Sequence, residues 1–190
     1  KREISSGMAE TIKHACLADE SFFEFLETHM EEILALEPEV CGYMARKNCQ
    51  IKYHVVMKDE RESGLREVLN LGHTVGRAIE TVSDYRLLHG EAVSIGLMAA
   101  AVLSEEMGYL GKEDVNRIRD LLKRADLPTA IPDYIDREAL VKKLYTDKKV
   151  RNGRLRFVVP LRIGEIAAFG ENVYAVPVSE NTARRVIGMI

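Results

Sequence analysis

Four side chains able to do chemistry fall into register within residues 65–80, LREVLNLGHTVGRAIE. Read as one helix at about 100° per residue, the stretch places Arg66, Asn70, His73 and Arg77 at i, i+4, i+7 and i+11, inside roughly 60° of arc. Leu65, Val68, Leu71, Val75 and Ile79 take the opposite, apolar side. Guanidinium groups beside an amide and an imidazole suit a carboxylate or phosphate ligand. Gly72 and Gly76 each cost a helix about 1 kcal/mol against Ala. Their presence predicts neighbouring backbone packed close against this wall.

A second imidazole, His89, follows sixteen residues after His73 in LLHGEAV, at the edge of the next helix. A helix–loop–helix hairpin of that length can return the two rings to one point. Upstream, GMAETIKHA places Glu10, Lys13 and His14 on one helical face at i, i+3 and i+4. Two histidines and a carboxylate make a catalytic zinc set with one coordination position open to water or substrate. By spacing alone the signal is weak, and separate core or surface histidines are the commoner reading. TDKKVRNGRLR adds a basic group at a turn, which by itself reads as surface.

The elements that must position these groups are mostly helices. SGMAETIKHACLA has Met8, Ile12 and Cys16 at helical spacing, with Ser5 or Ser6 as cap. DESFFEFLETHMEEILAL starts at the cap Asp19 and gathers Phe22, Phe23, Leu26, Met30, Ile33 and Leu34 on one side. Pro38 opens a third, somewhat irregular helix, PEVCGYMARKNCQIKYHVVMKD, and ERESG is a polar turn. SDYRLLHG is a loop, and EAVSIGLMAAAVLSEEMG is a long helix whose Ala and Gly residues permit close packing. KEDVNRIRDLLKRA and DREALVKKLYTDKK are two more helices. After Asn152-Gly153 the period turns to alternation: RLRFVVPL, EIAAFG and VYAVPV read as short strands, before a last helix capped by Ser179. The predicted class is mainly α, one domain over 1–190, with a small β element near the C-terminus. No GxGxxG follows a strand, so the chain carries no dinucleotide-binding sheet of its own.

With 190 residues and 46% apolar content, the chain can bury one sizeable core. A net charge of −3 offers no field for nucleic acid, and no apolar run approaches the roughly 20 residues of a membrane span. KREISSGMAE lacks the pattern of a secretory leader. Cys16, Cys41 and Cys49 lack metal-type spacing, and free thiols in a reducing, cytoplasmic compartment are expected.

The blocks GMAETIKHACLADESFFEFLE, CQIKYHVVMKDERESGLREVLNLGHTVGRAIE, HGEAVSIGLMAAA and DKKVRNGRLRFVVPLRIGE together resemble, in order, the signature blocks of the 3-dehydroquinate synthases. The resemblance covers nearly the whole chain and corresponds to that family's helical C-terminal domain, without the N-terminal NAD-binding domain. It implies that Glu10, His73 and His89 bind the catalytic zinc, or another divalent metal such as cobalt. It also implies that Lys13, Lys52, Glu62, Arg66, Asn70 and the pair Lys148 and Lys149 surround a phosphorylated sugar acid. His14, His29 and His54 match nothing in that site.

The implied reaction converts 3-deoxy-D-arabino-heptulosonate 7-phosphate into 3-dehydroquinate and phosphate. It uses NAD held by the missing domain, in a full-length homodimer. This chain alone is then inactive, having no hydride-acceptor site. One departure stands out: Arg77 occupies a position where the family usually has a second histidine. An imidazole exchanges a proton near neutral pH and a guanidinium does not. The alternatives are another sugar-phosphate cyclase, a metal-dependent alcohol dehydrogenase, or a helical module retaining a relic site. ERESGLR and DKK…GRLRF argue against the dehydrogenase, because a small neutral alcohol needs no such cations.

Overall fold

A computed structural model of the chain describes residues 1–61, 63–146 and 155–190. Eight helices are described: α1 (Arg2–Ala18), α2 (Glu20–Leu34), α3 (Pro38–Lys58), α4 (His73–Val82), α5 (His89–Glu106), α6 (Lys112–Arg124), α7 (Arg137–Thr146) and α8 (Glu180–Met189). Four short strands precede α8: β1 (Leu155–Val158), β2 (Pro160–Arg162), β3 (Glu165–Ile166) and β4 (Ala175–Val178). β1 pairs antiparallel with β4, Leu155 opposite Val178, and β2 pairs antiparallel with β3, Pro160 opposite Ile166. The mainly helical class with a small β element is what the sequence led to.

α5 is the axis of the domain. Every residue from Ala92 to Ser104 is buried, as a helix apolar on all sides requires. α1, α4, α6 and α8 pack around it. α2 contributes Phe22, Phe23, Leu26, Met30 and Ile33 to the core, and α6 contributes Val115, Ile118, Leu121 and Leu122. Two of the expected caps hold. Asp19 accepts the Phe22 amide at 2.9 Å, and Ser179 accepts the Thr182 amide at 3.2 Å. α1, by contrast, begins at Arg2, with Ser5 and Ser6 inside it rather than capping it.

The stretch 65–80 is not one helix. Leu65–Asn70 forms a 3-10 segment, Leu71 is extended, and Gly72 adopts φ 74° before α4 opens at His73. Gly72 therefore carries no helix penalty. It supplies a left-handed turn that side chains resist. The α4–α5 contact depends on bare backbone: a Cβ on Gly96 of α5 would lie 1.8 Å from the Gly72 carbonyl oxygen. One on Gly76 would press on the α5 backbone at Ala92 and Val93, 3.1–3.2 Å away. The close approach expected of these glycines is present.

Candidate metal centre

Three helices meet where the ligand candidates sit. Glu10 comes from the middle of α1, His73 is the first residue of α4, and His89 is the first residue of α5. The Gly72 turn stops the 3-10 segment and points the start of α4 inward. At α5, the Glu91 carboxylate accepts the Leu88 amide at 2.8 Å, which sets the first turn that carries His89. Arg2 grips both oxygens of Glu91 at 2.7 Å, and Ser6 Oγ accepts the Gly90 amide at 3.0 Å. These contacts fasten α1, and with it Glu10, to the start of α5.

His73 Nε2 lies 3.5 Å and His89 Nε2 3.7 Å from Glu10 Oε1. One ligand atom from each residue falls within 4.8 Å of the others. The remaining ring nitrogens are spoken for: His73 Nδ1 faces the Leu71 carbonyl at 3.0 Å, and His89 Nδ1 faces Glu80 Oε1 at 3.0 Å. Glu10 Oε2 accepts from Lys13 Nζ at 2.7 Å, while the buried Oε1 accepts no hydrogen bond among the described residues. Leaving a buried carboxylate oxygen unsatisfied costs at least 1–3 kcal/mol, roughly. A cation between Oε1 and the two Nε2 atoms would remove that cost. The donor set, two imidazoles and a carboxylate, fits a catalytic divalent metal.

Electrostatics keep His73 and Glu10 in ligand form. Burial, reinforced by the neighbouring Lys13 charge, pushes His73 down to about 4, so its ring is neutral at pH 7. Burial alone would raise the Glu10 carboxyl, but the charge and hydrogen bond of Lys13 outweigh it and hold Glu10 below its ordinary value. Lys13 is itself lowered by burial, against the pull of Glu10. Its ammonium also donates to the Leu69 carbonyl at 3.0 Å, tying the 3-10 segment to α1. The charges of Lys52 and Arg77 both reach Lys13 and lower it further, and Arg77 reaches His73.

The structure thus brings Glu10, Lys13, His73 and His89 together, with Lys52 and Arg77 in electrostatic range. Arg66 and Asn70 belong to the 3-10 segment that Lys13 fastens, not to a stripe shared with His73 and Arg77, because Gly72 breaks the helix between them. Glu62, Lys148 and Lys149 lie outside the described residues. His14 is buried with Nδ1 2.5 Å from Asn48 Oδ1, His29 pairs with Glu32, and His54 Nδ1 faces its own helix at the Gln50 carbonyl. Cys16, Cys41 and Cys49 are free. Among the described residues no helix is long and apolar enough to cross a membrane.

Two residues that the sequence reading passed over organise this region. Asp59 accepts the amides of Ser63 (2.6 Å), Gly64 (2.9 Å) and Arg66 (2.8 Å) and the Ser63 hydroxyl (2.8 Å). Those bonds, the Arg66 amide foremost, hold its carboxyl far below the usual range. An Asp directly before the polar turn ERESG was the available signal, since Asp side chains bond backbone a few residues on. Glu80, the partner of His89, stands seven residues after His73, on the same side of α4.

The structure resembles a 2-epi-5-epi-valiolone synthase of Streptomyces hygroscopicus, solved with NAD+ and Zn2+ bound, with a TM-score of 0.85 at 23% identity, over 99% of this chain and 51% of that one. It also resembles a 2-deoxy-scyllo-inosose synthase solved with carbaglucose-6-phosphate, NAD+ and Co2+, with a TM-score of 0.84 at 23% identity, over 98% of this chain and 52% of that one. The fold of this chain is thus that of about half of each of these two synthases. The 3-dehydroquinate synthase C-terminal family model matches residues 7–150. The 3-dehydroquinate synthase of Thermodesulfovibrio yellowstonii is 46% identical over 167 residues, 87% of this chain and 46% of that protein. That of Ruminiclostridium cellulolyticum is 43% identical over 166 residues, again 87% and 46%. The chain belongs to the 3-dehydroquinate synthase C-terminal family, and it spans about half the length of these curated relatives.

Proposed function

We propose that this chain is the metal- and substrate-binding half of a 3-dehydroquinate synthase. Joined to an NAD-binding half, it would turn 3-deoxy-D-arabino-heptulosonate 7-phosphate into 3-dehydroquinate and phosphate, in the cytoplasmic pathway to aromatic compounds. The observation that carries the reading is the convergence of His73 and His89 on the buried Glu10 Oε1, which accepts no hydrogen bond among the described residues. The retained cations and the 41–46% identity to 3-dehydroquinate synthases support this substrate over that of another cyclase.

Glu10, His73 and His89 would hold a divalent cation, zinc or cobalt. When bound, that ion supplies Lewis acidity toward adjacent substrate oxygens. Lys13 keeps Glu10 anionic and aimed. Arg66, Asn70 and Lys52, with Glu62, Lys148 and Lys149, would bind the hydroxyl, carboxylate and phosphate groups, so that much of the catalysis is positioning. Arg77 serves as a fixed positive charge rather than a proton carrier. The full-length enzyme would act as a homodimer, and this half by itself is inactive.

The test is zinc stoichiometry and affinity on the purified chain beside Glu10→Ala and His89→Ala. One ion per chain in the wild type, lost in both variants, is the expected result. Full binding by either variant refutes the ligand set. Inorganic phosphate released from the heptulosonate phosphate by the 190-residue chain alone would refute its dependence on the second half.

A further inference from the structure

Glu80 has no part in the function proposed above, yet it contacts one of the metal-ligand candidates. Its Oε1 lies 3.0 Å from His89 Nδ1, while His89 Nε2 faces Glu10 Oε1 at 3.7 Å. Glu80 therefore stands at the ring nitrogen that does not face Glu10. It is no fourth ligand, but it decides which nitrogen carries the proton.

A neutral imidazole ligates only through a nitrogen whose lone pair is free, and a free ring exchanges between two tautomers. His73 has its tautomer set by backbone: its Nδ1 faces the Leu71 carbonyl, one residue before the Gly72 turn. The side chain of His73 is 11% exposed, so its surroundings also hold the ring. His89 has neither support. Its side chain is 49% exposed at the first position of α5. The Glu80 carboxylate, 19% exposed, is the group that faces its Nδ1.

We propose that Glu80 is a positioning residue that holds His89 as the Nδ1–H tautomer with Nε2 turned toward the divalent-cation site. The inference rests on the metal-centre reading above. α4 then supplies one ligand, His73, and two turns later the support for the next. A carboxylate behind a ligating imidazole also raises the basicity of the ligating nitrogen, and loss of such a partner typically weakens metal binding 10–100-fold.

Two readouts test it on the 190-residue chain, Co2+ affinity from its visible absorption bands and the His89 tautomer from nitrogen-edited imidazole spectra of the metal-free protein. Glu80→Ala should raise the Co2+ Kd about 10–100-fold and move His89 toward the Nε2–H form, with the His73 signals and circular dichroism unchanged. Glu80→Gln, whose amide oxygen still accepts from Nδ1–H, should restore the tautomer and most of the affinity. Unchanged Co2+ affinity in Glu80→Ala, or an Nε2–H ring in the wild type, overturns the proposal. If the wild type binds no Co2+, or Glu10→Ala binds it fully, the metal-centre reading fails instead. The tautomer comparison then still decides whether Glu80 fixes His89.

Discussion

Gly96→Ala sets two effects of opposite sign against each other. Alanine in place of a mid-helix glycine stabilises a helix by about 1 kcal/mol. At Gly96 the added Cβ would fall 1.8 Å from the Gly72 carbonyl oxygen and 2.9 Å from the Gly76 amide nitrogen. Both atoms are backbone, so no side-chain rotamer can relieve the overlap. Real Cβ contacts stay beyond 3.0 Å, so α4 and α5 would have to part by more than 1 Å at this point. Overpacking of a well-packed core costs about 1–3 kcal/mol and more when backbone must move. The propensity gain offsets part of that cost, leaving a net loss of about 0–2 kcal/mol, and the depth of this overlap puts it toward the upper end.

The control is Gly42→Ala, in the second turn of α3, where an added Cβ meets nothing within 4 Å. Urea denaturation should show Gly42→Ala gaining up to about 1 kcal/mol and Gly96→Ala losing stability. Because the displaced Gly72 turn immediately precedes His73, Gly96→Ala should also weaken Co2+ binding, while Gly42→Ala should not. Equal stabilisation by both substitutions would refute the close-packing argument for this interface.

Two further outcomes follow from the site. His73 is held near 4 against an ordinary value of 6.5, so between those pH values the unfolded chain binds the proton more readily. The metal-free chain should therefore lose stability as pH falls from about 6.5 to about 4, by about 3 kcal/mol from this residue, at 1.36 kcal/mol per unit. His73→Gln should flatten that part of the urea-denaturation profile, and superimposable profiles would count against a buried neutral His73. Asp59→Asn replaces one of the two acceptor oxygens with an amide donor. It should speed hydrogen exchange at the Gly64 and Arg66 amides without altering the α5 core, and unchanged exchange would show that the loop holds without the carboxylate.

Much of this molecule is local and was legible as such. The Asp19 and Ser179 caps, the apolar faces of α2 and α6, and the switch from helical to alternating period after Gly153 involve groups a few residues apart. Hydrogen bonding and burial act within those short windows, so residue order alone determines them. The match of ordered blocks likewise carried the family and singled out Glu10, His73 and His89 as candidate ligands.

Two features lay beyond that reach. The apolar period of 65–80 runs unbroken across a 3-10 segment and an extended Leu71. Only the position of α5, whose Gly96 backbone lies against Gly72, decides that the chain turns there instead of continuing as helix. The meeting of Glu10, His73 and His89 joins three segments, α1 to α5 through the Arg2–Glu91 and Ser6–Gly90 contacts, 89 and 84 residues apart in sequence, and α4 to α5 through glycine backbone. No local periodicity encodes such a contact. It exists because α4 and α5, stacked on bare glycine backbone, bring their first turns beside the middle of α1.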